Sequence, residues 1–216
     1  MFIPSSAYRG LFNVKHVCAA LFAAVSFAAA PAGAVPLNQY ATTVIGYSSQ
    51  WSPTSWAASQ TLGAPDTFSY GDISTAWAPG PANGTLEYIT VGYSTSVYAT
   101  GVTIRETYGN GFVYQIDVLD LSDVLHTVWT GTDPSLPGTP VDFLATWAQT
   151  SFLVDGIKVY TNTNHNLGAW EEIDSIQLHG DSVYSPSINN VPEPATLALL
   201  GIGLAGLAAA RRRKAA

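Results

Sequence analysis

Between Val35 and Asn190 the apolar positions recur in short runs and show no helical period. Runs rich in Val, Ile, Thr, Tyr and Trp, bounded by Gly, Pro, Asn and Asp, predict strands. The first is Thr42 to Tyr47. Ser48 to Pro81 then reads as loop, because Pro53, Gly63, Pro65, Gly71, Pro79 and Gly80 break any long element. Strands follow at roughly ten-residue spacing: Leu86 to Tyr93, Tyr98 to Thr107, Phe112 to Leu119, Leu125 to Thr130, Val141 to Trp147, Phe152 to Tyr160 and Ile173 to His179. Two-residue alternation puts Val102, Ile104 and Glu106 on one face and Thr103, Arg105 and Thr107 on the other. It likewise sets Phe112, Tyr114, Ile116 and Val118 against Val113, Gln115 and Asp117. About eight strands without helices predict an all-β fold, an antiparallel β-sandwich with Trp77 and Trp129 in its core. The domain runs from 35 to 181, and 182–190 reads as a linker.

Both ends depart from this pattern. At the start, Arg9, Lys15 and His16 precede the apolar stretch Val17 to Ala30, and Ala32-Gly33-Ala34 supplies small residues at a cleavage position. Residues 1–34 therefore read as a secretory signal peptide and its N-terminal signal helix, cut after Ala34. At the other end, Val191-Pro192-Glu193-Pro194 stops any helix from extending backwards. Ala195 to Ala210 follow with Thr196 as their one polar side chain, and then Arg211, Arg212, Arg213 and Lys214. As a helix, 195–210 reaches about 24 Å at 1.5 Å per residue, against a hydrocarbon core of roughly 30 Å. A single transmembrane helix over 195–210 is expected, with 211–214 as a basic stop on the cytoplasmic side and the domain beyond the inner membrane. Gly201, Gly203 and Gly206 match G-x-G-x-x-G, but no strand precedes them, so the dinucleotide reading fails.

Charge narrows the function. The stretch 35–190 holds two cations, Arg105 and Lys158, against fourteen acids, a net charge of −12. Nucleic acid is excluded as a partner, since its binding needs phosphate neutralisation. Cys18 lies in the signal, so the exported part folds without a disulfide.

The tail, with Pro192-Glu193-Pro194, an apolar helix and an Arg-rich end, resembles the PEP-CTERM sorting signal of Gram-negative, exopolysaccharide-producing bacteria. That resemblance implies processing by a membrane-embedded exosortase, transient residence in the inner membrane, and delivery to the cell surface or extracellular matrix. Three stretches of the domain, 58–79, 104–111 and 170–178, resemble the galactose-binding-like jelly rolls, and among them the SD scarf domain of pappalysin. In such domains an early loop and an acid near the final strand wrap a structural calcium. The matching residues here are Asp66, Asp72 and Thr75, with Glu171 or Glu172; Gly71-Asp72 reverses the usual Asp-Gly order. Turn residues making Asx turns are the alternative for Asp66 and Asp72.

A sugar face needs rings to stack on pyranose surfaces and planar polar groups for hydroxyls. Loop-sited Trp51, Trp56, Tyr108 and Trp170 offer rings, and Arg105, Glu106, Asn164 and His165 offer hydrogen bonds. Arg105 also reads simply as half of a surface ion pair. Catalysis has little support: no H-E-x-x-H and no G-x-S-x-G is present. The expectation is an exported, non-enzymatic binding or scaffolding protein of the envelope or exopolysaccharide matrix. A carbohydrate-binding module with a defined surface glycan is the alternative, and a polysaccharide hydrolase or lyase the third reading.

Overall fold

The computed structural model describes residues 35–185 and 198–206. Eight strands form in the order β1 (Pro36–Tyr40), β2 (Thr43–Tyr47), β3 (Leu86–Tyr108), β4 (Val113–Asp120), β5 (Leu125–Thr130), β6 (Val141–Thr146), β7 (Val154–Asn162) and β8 (Glu172–Asp181). A single 3-10 turn, Ala58–Thr61, interrupts the long loop after β2. Every pairing is antiparallel.

The strands make the two layers of a sandwich. One runs β1-β8-β3-β6 and the other β2-β3-β7-β4-β5, so β3 belongs to both. Its first half pairs with β2 and β7, and its second half, from Tyr98, with β8 and β6. The stretches 86–93 and 98–107, expected as separate strands, are thus one 23-residue strand. It changes partners through breaks in register between Gly92 and Val97 and between Ala99 and Gly101. Gly101 is required at that crossing: a Cβ there would lie 2.8 Å from the carbonyl oxygen of Ala145 on β6.

The core is the inward face of both layers. Ile89, Val91, Ile116, Val118, Ile157 and Val159 come from one sheet, and Val102, Ile104, Ile173, Ile176 and Leu178 from the other. Each such burial contributes about 1.5–3 kcal/mol relative to exposure. Trp77 is fully buried among them, as the sequence predicts. Trp129 is only half-buried, packed edge-on against Phe143 with ring centroids 5.3 Å apart.

Two alternations fail for one reason, a bulge. A register shift between Val113 and Gln115 turns Val113 into the core and leaves Tyr114 half-buried beside Tyr160. Shifts around Glu106 leave Thr107 buried as deeply as Glu106. A bulge adds one residue to one strand and resets the two-residue period beyond it. β1 was not expected at all; it pairs Pro36 to Asp181 and Tyr40 to Gln177 along β8.

Residues 198–206 form a nine-residue helix, exposed along its whole length. Among the described residues no helix is long and apolar enough to cross a membrane. The expected span 195–210 runs past the described part at both ends. The signal peptide with Ala32 and Ala34, and the sorting residues Pro192, Glu193, Pro194, Arg211, Arg212 and Arg213, also lie outside the described residues.

Candidate functional site

The loop between β2 and β3 is held against β8 by an isolated bridge. Trp77 N–H donates to Ile173 O at 2.8 Å and Ile173 N–H returns the bond at 3.0 Å. Further backbone bonds fold the loop on itself: Trp51 N–H to Ala78 O, Trp56 N–H to Ser74 O and Ala78 N–H to Trp56 O. Two tryptophans of this loop therefore converge with a third that lies more than a hundred residues on. Trp51, Trp56 and Trp170 line one pocket together with Asp72 and Ala78. Trp51 meets Trp170 edge-to-face at 5.2 Å, and Trp51 is 53% exposed. The pocket holds about 270 Å³ of empty space, part of it open to solvent. The part that a solvent-sized group can enter is only about 60 Å³, far below the roughly 300 Å³ at which drug-scale pockets begin, so the site is a shallow aromatic surface.

Trp56 sits at φ +51°, a left-handed conformation that a bulky side chain seldom adopts. Strain of this kind persists only where the surroundings enforce it, and it clusters at binding sites. The indole N–H groups of Trp56 and Trp170 have no hydrogen-bond partner within the protein. Both nitrogens are buried, so what the mouth of the pocket offers is apolar ring surface and one carboxylate, Asp72.

Carboxyl groups back the pocket in pairs. Buried Glu172 accepts from Ile73 N–H and lies beside Asp72. Burial chiefly pushes Glu172 up to about 9; Asp72 adds to the shift, while the Ile73 N–H and the nearby Trp56 indole oppose it. The indole approaches Glu172 without meeting hydrogen-bond geometry. Asp174, two residues on and also buried, accepts from Asp66 N–H at 3.2 Å and Thr67 N–H at 3.3 Å. Burial pushes Asp174 up to about 6 as well, and the neighbouring Asp66 side chain adds to the rise. Glu171 is wholly buried with both carboxylate oxygens unpartnered, and burial pushes it up to about 8.

The residues expected to hold calcium are therefore split. Asp66 goes with Asp174, Asp72 with Glu172, and Thr75 with Thr67 through a 2.5 Å hydroxyl contact. Among the described residues, no three His, Cys, Asp or Glu side chains converge on one point. Their chemistry still suits a hard cation, which takes oxygens, and the free oxygens of Glu171 and Glu172 are of that kind. Asp174 escaped the sequence reading, although its i, i+2 spacing from Glu172 on one strand is the signal that places both on one face.

The remaining residues expected at a sugar face are scattered. Arg105 pairs with Asp142 across the strands at 3.1 Å. Tyr108 packs edge-on against Tyr70 at 5.4 Å. Asn164 Oδ1 accepts from Gly84 N–H, and the His165 ring lies against Gly111. None of the four lines the tryptophan pocket.

The profile described as "Pappalysin-1, SD scarf domain, C-terminal" matches residues 32–187. The chain belongs to that family. Beyond the scarf domain, the PEP-CTERM protein-sorting motif matches residues 190–214. No curated protein matches the chain. Among solved structures the scarf domain is similar to chitosan-binding module 1 of a chitosanase/glucanase from Paenibacillus sp. IK-5, at 16% identity and TM-score 0.45, over 65% of this chain and 97% of that one. It is similar also to the family 32 CBM of C. perfringens NanJ in complex with galactose, at 14% identity and TM-score 0.46, over 66% and 99%. Allantoicase from Saccharomyces cerevisiae matches at 12% identity and TM-score 0.46, over 63% of this chain and 39% of that one.

Proposed function

We propose that this chain is an exported, non-catalytic glycan-binding protein, sorted through its PEP-CTERM motif to the cell surface or exopolysaccharide matrix. Convergence of Trp51, Trp56 and Trp170 on one small pocket beside Asp72 supports the reading. Aromatic faces take the C–H surface of a sugar ring, and the Asp72 carboxylate meets its hydroxyls. Scaffolding within the matrix follows from holding glycan at one end and a surface address at the other.

Sorting carries its own consequence. An exosortase removes the tail near Pro192-Glu193-Pro194 after the apolar segment has lodged in the inner membrane, and the signal is cut after Ala34. A structural Ca²⁺ near Asp72 and Glu172 would neutralise that acid pair and brace the loop bearing Trp51 and Trp56. Asp66, Thr75 and Glu171 stand as its further candidate ligands.

The experiment is affinity electrophoresis of the exported protein through gels containing the producing cell's own exopolysaccharide. Wild type is retarded, whereas Trp51→Ala and Trp170→Ala migrate freely. Equal retardation of all three proteins would dismiss the pocket as the glycan site.

A further inference from the structure

Away from the tryptophan pocket, the end of β3 meets the β5–β6 connection around a second set of buried oxygens. Glu106 is 0% exposed, and its Oε2 accepts from Gly111 N–H at 2.8 Å, but Oε1 has no partner. Asp133, 3% exposed, accepts from Ser135 N–H through Oδ1 at 2.9 Å, and its Oδ2 has none. Burial chiefly pushes Glu106 up to about 10; the neighbouring Asp133 carboxyl adds to the rise, and the Gly111 N–H and the nearby Ser135 hydroxyl oppose it.

Asn110 is the third member. It is 0% exposed and directly precedes Gly111, so it is anchored one peptide from the N–H that holds Glu106. Its amide hydrogens are used by Leu136 O at 3.3 Å and Thr139 O at 2.8 Å, on the same connection that carries Asp133. Those bonds fix the amide's orientation and leave Oδ1 without a donor. Gly111 makes the approach feasible: it sits at φ +98°, and a Cβ there would come within 2.6 Å of Ser135 O.

Among the described residues, no lysine or arginine balances these oxygens. Arg105 is paired with Asp142, and Lys158 lies over the Tyr88 ring. Two carboxyls in contact inside a protein do not both ionise unless a proton or a cation sits between them. A shared proton would satisfy Glu106 and Asp133 but not Asn110 Oδ1, and an orphaned buried acceptor costs about 1–3 kcal/mol. A hard cation satisfies all three.

We propose that Glu106 Oε1, Asp133 Oδ2 and Asn110 Oδ1 bind a calcium ion, with carbonyls of the surrounding turns completing its shell. Calcium accepts such carboxylate and amide oxygens, and sites in exported modules bind it at roughly 10⁻⁴–10⁻³ M. The ion would pin the β5–β6 connection to the end of β3. This site is independent of the glycan reading and shares no residue with the loop that carries Asp66 and Asp72.

Calorimetric titration of CaCl₂ into the EDTA-treated exported protein tests it, in wild type and in three variants. The outcome expected is binding in wild type and in Asp72→Asn/Glu172→Gln, and at least tenfold weaker binding in Glu106→Gln and Asp133→Asn. Heat-melting curves guard against misfolding: Glu106→Gln should melt in EDTA as high as wild type or higher, and gain less from calcium than wild type does. If calcium raises the melting temperature of Glu106→Gln and Asp133→Asn as much as that of wild type, the ion binds elsewhere and the proposal fails. If wild type takes up no calcium, a shared proton alone holds the pair, and the proposal fails equally. Should both variants fail to fold, retention of a bound calcium by Asp72→Asn/Glu172→Gln in native mass spectrometry supports the site, and its absence overturns it.

Discussion

Trp77 and Ile173 exchange a pair of backbone hydrogen bonds across 96 residues of sequence, at 2.8 and 3.0 Å. That bridge fastens the loop carrying Trp51, Trp56 and Asp72 to the strand that follows Trp170. The Trp77 side chain is fully buried, and its indole N–H donates to Ser49 O at 3.1 Å. Trp77→Ala should cost about 3–5 kcal/mol, the usual loss for a buried large aromatic. Urea unfolding followed by circular dichroism measures it; a loss under about 1 kcal/mol, the scale of a surface substitution, would show that the bridge does not anchor the loop.

Trp51 behaves differently. It is mostly exposed and contributes a ring to the pocket mouth, so its removal should leave stability within about 0.5 kcal/mol of wild type. Glycan retention in the gel should nevertheless fall at least tenfold. Loss of both stability and binding would mean that Trp51 holds the loop and does not contact sugar.

Removal of metal ions is expected to lower the melting temperature of the exported protein by several degrees, because a ligand bound only to the folded state stabilises it. Scanning calorimetry with EDTA and with excess CaCl₂ reads the shift directly. Identical curves would eliminate calcium from both acid clusters.

Stability should also depend on pH in a particular sense. Burial holds Glu171 up to about 8, Glu172 to about 9 and Glu106 to about 10, against 4.5 for the unfolded chain. Above 4.5 the folded protein keeps protons that the unfolded chain has lost, so stability falls as pH rises through these values. Below 4.5 both states are protonated at these groups, and their contribution is fully present. Urea midpoints in EDTA should therefore decline from pH 5 to pH 10, and calcium should flatten the decline by replacing the proton. A midpoint that climbs over that range would contradict the assignment of neutral carboxyls.

Export makes a mass-spectrometric prediction. The native product should lack residues 1–34 and the apolar tail, and a strain without the sorting peptidase should retain the tail. An intact tail in the wild-type product would refute processing at Pro192-Glu193-Pro194.

Much of the sandwich was legible from alternation, because strands with one buried face write that face into the sequence. β5 occupies the residues expected, Leu125 to Thr130. What the period could not show was where it resets. The bulges near Val113 and Glu106, and the passage of β3 between sheets, depend on partner strands distant in sequence. The pocket was half legible. Trp51, Trp56 and Trp170 stood out as loop aromatics, yet Asp72 read as a metal ligand and lies at the pocket's edge. Glu106 read as a hydrogen-bonding group for a sugar on the face of Val102 and Ile104, and its contact with Asp133, from a loop 27 residues on, has no local signature.

β8 sits between β1 and β3, and just past its end Ser185 N–H still donates to Gln149 Oε1. Tension applied through the C-terminal tail therefore enters along a strand gripped on both flanks, not one that peels from a margin. Freeing it requires breaking two hydrogen-bonded ladders together, and one of them belongs to the strand common to both sheets.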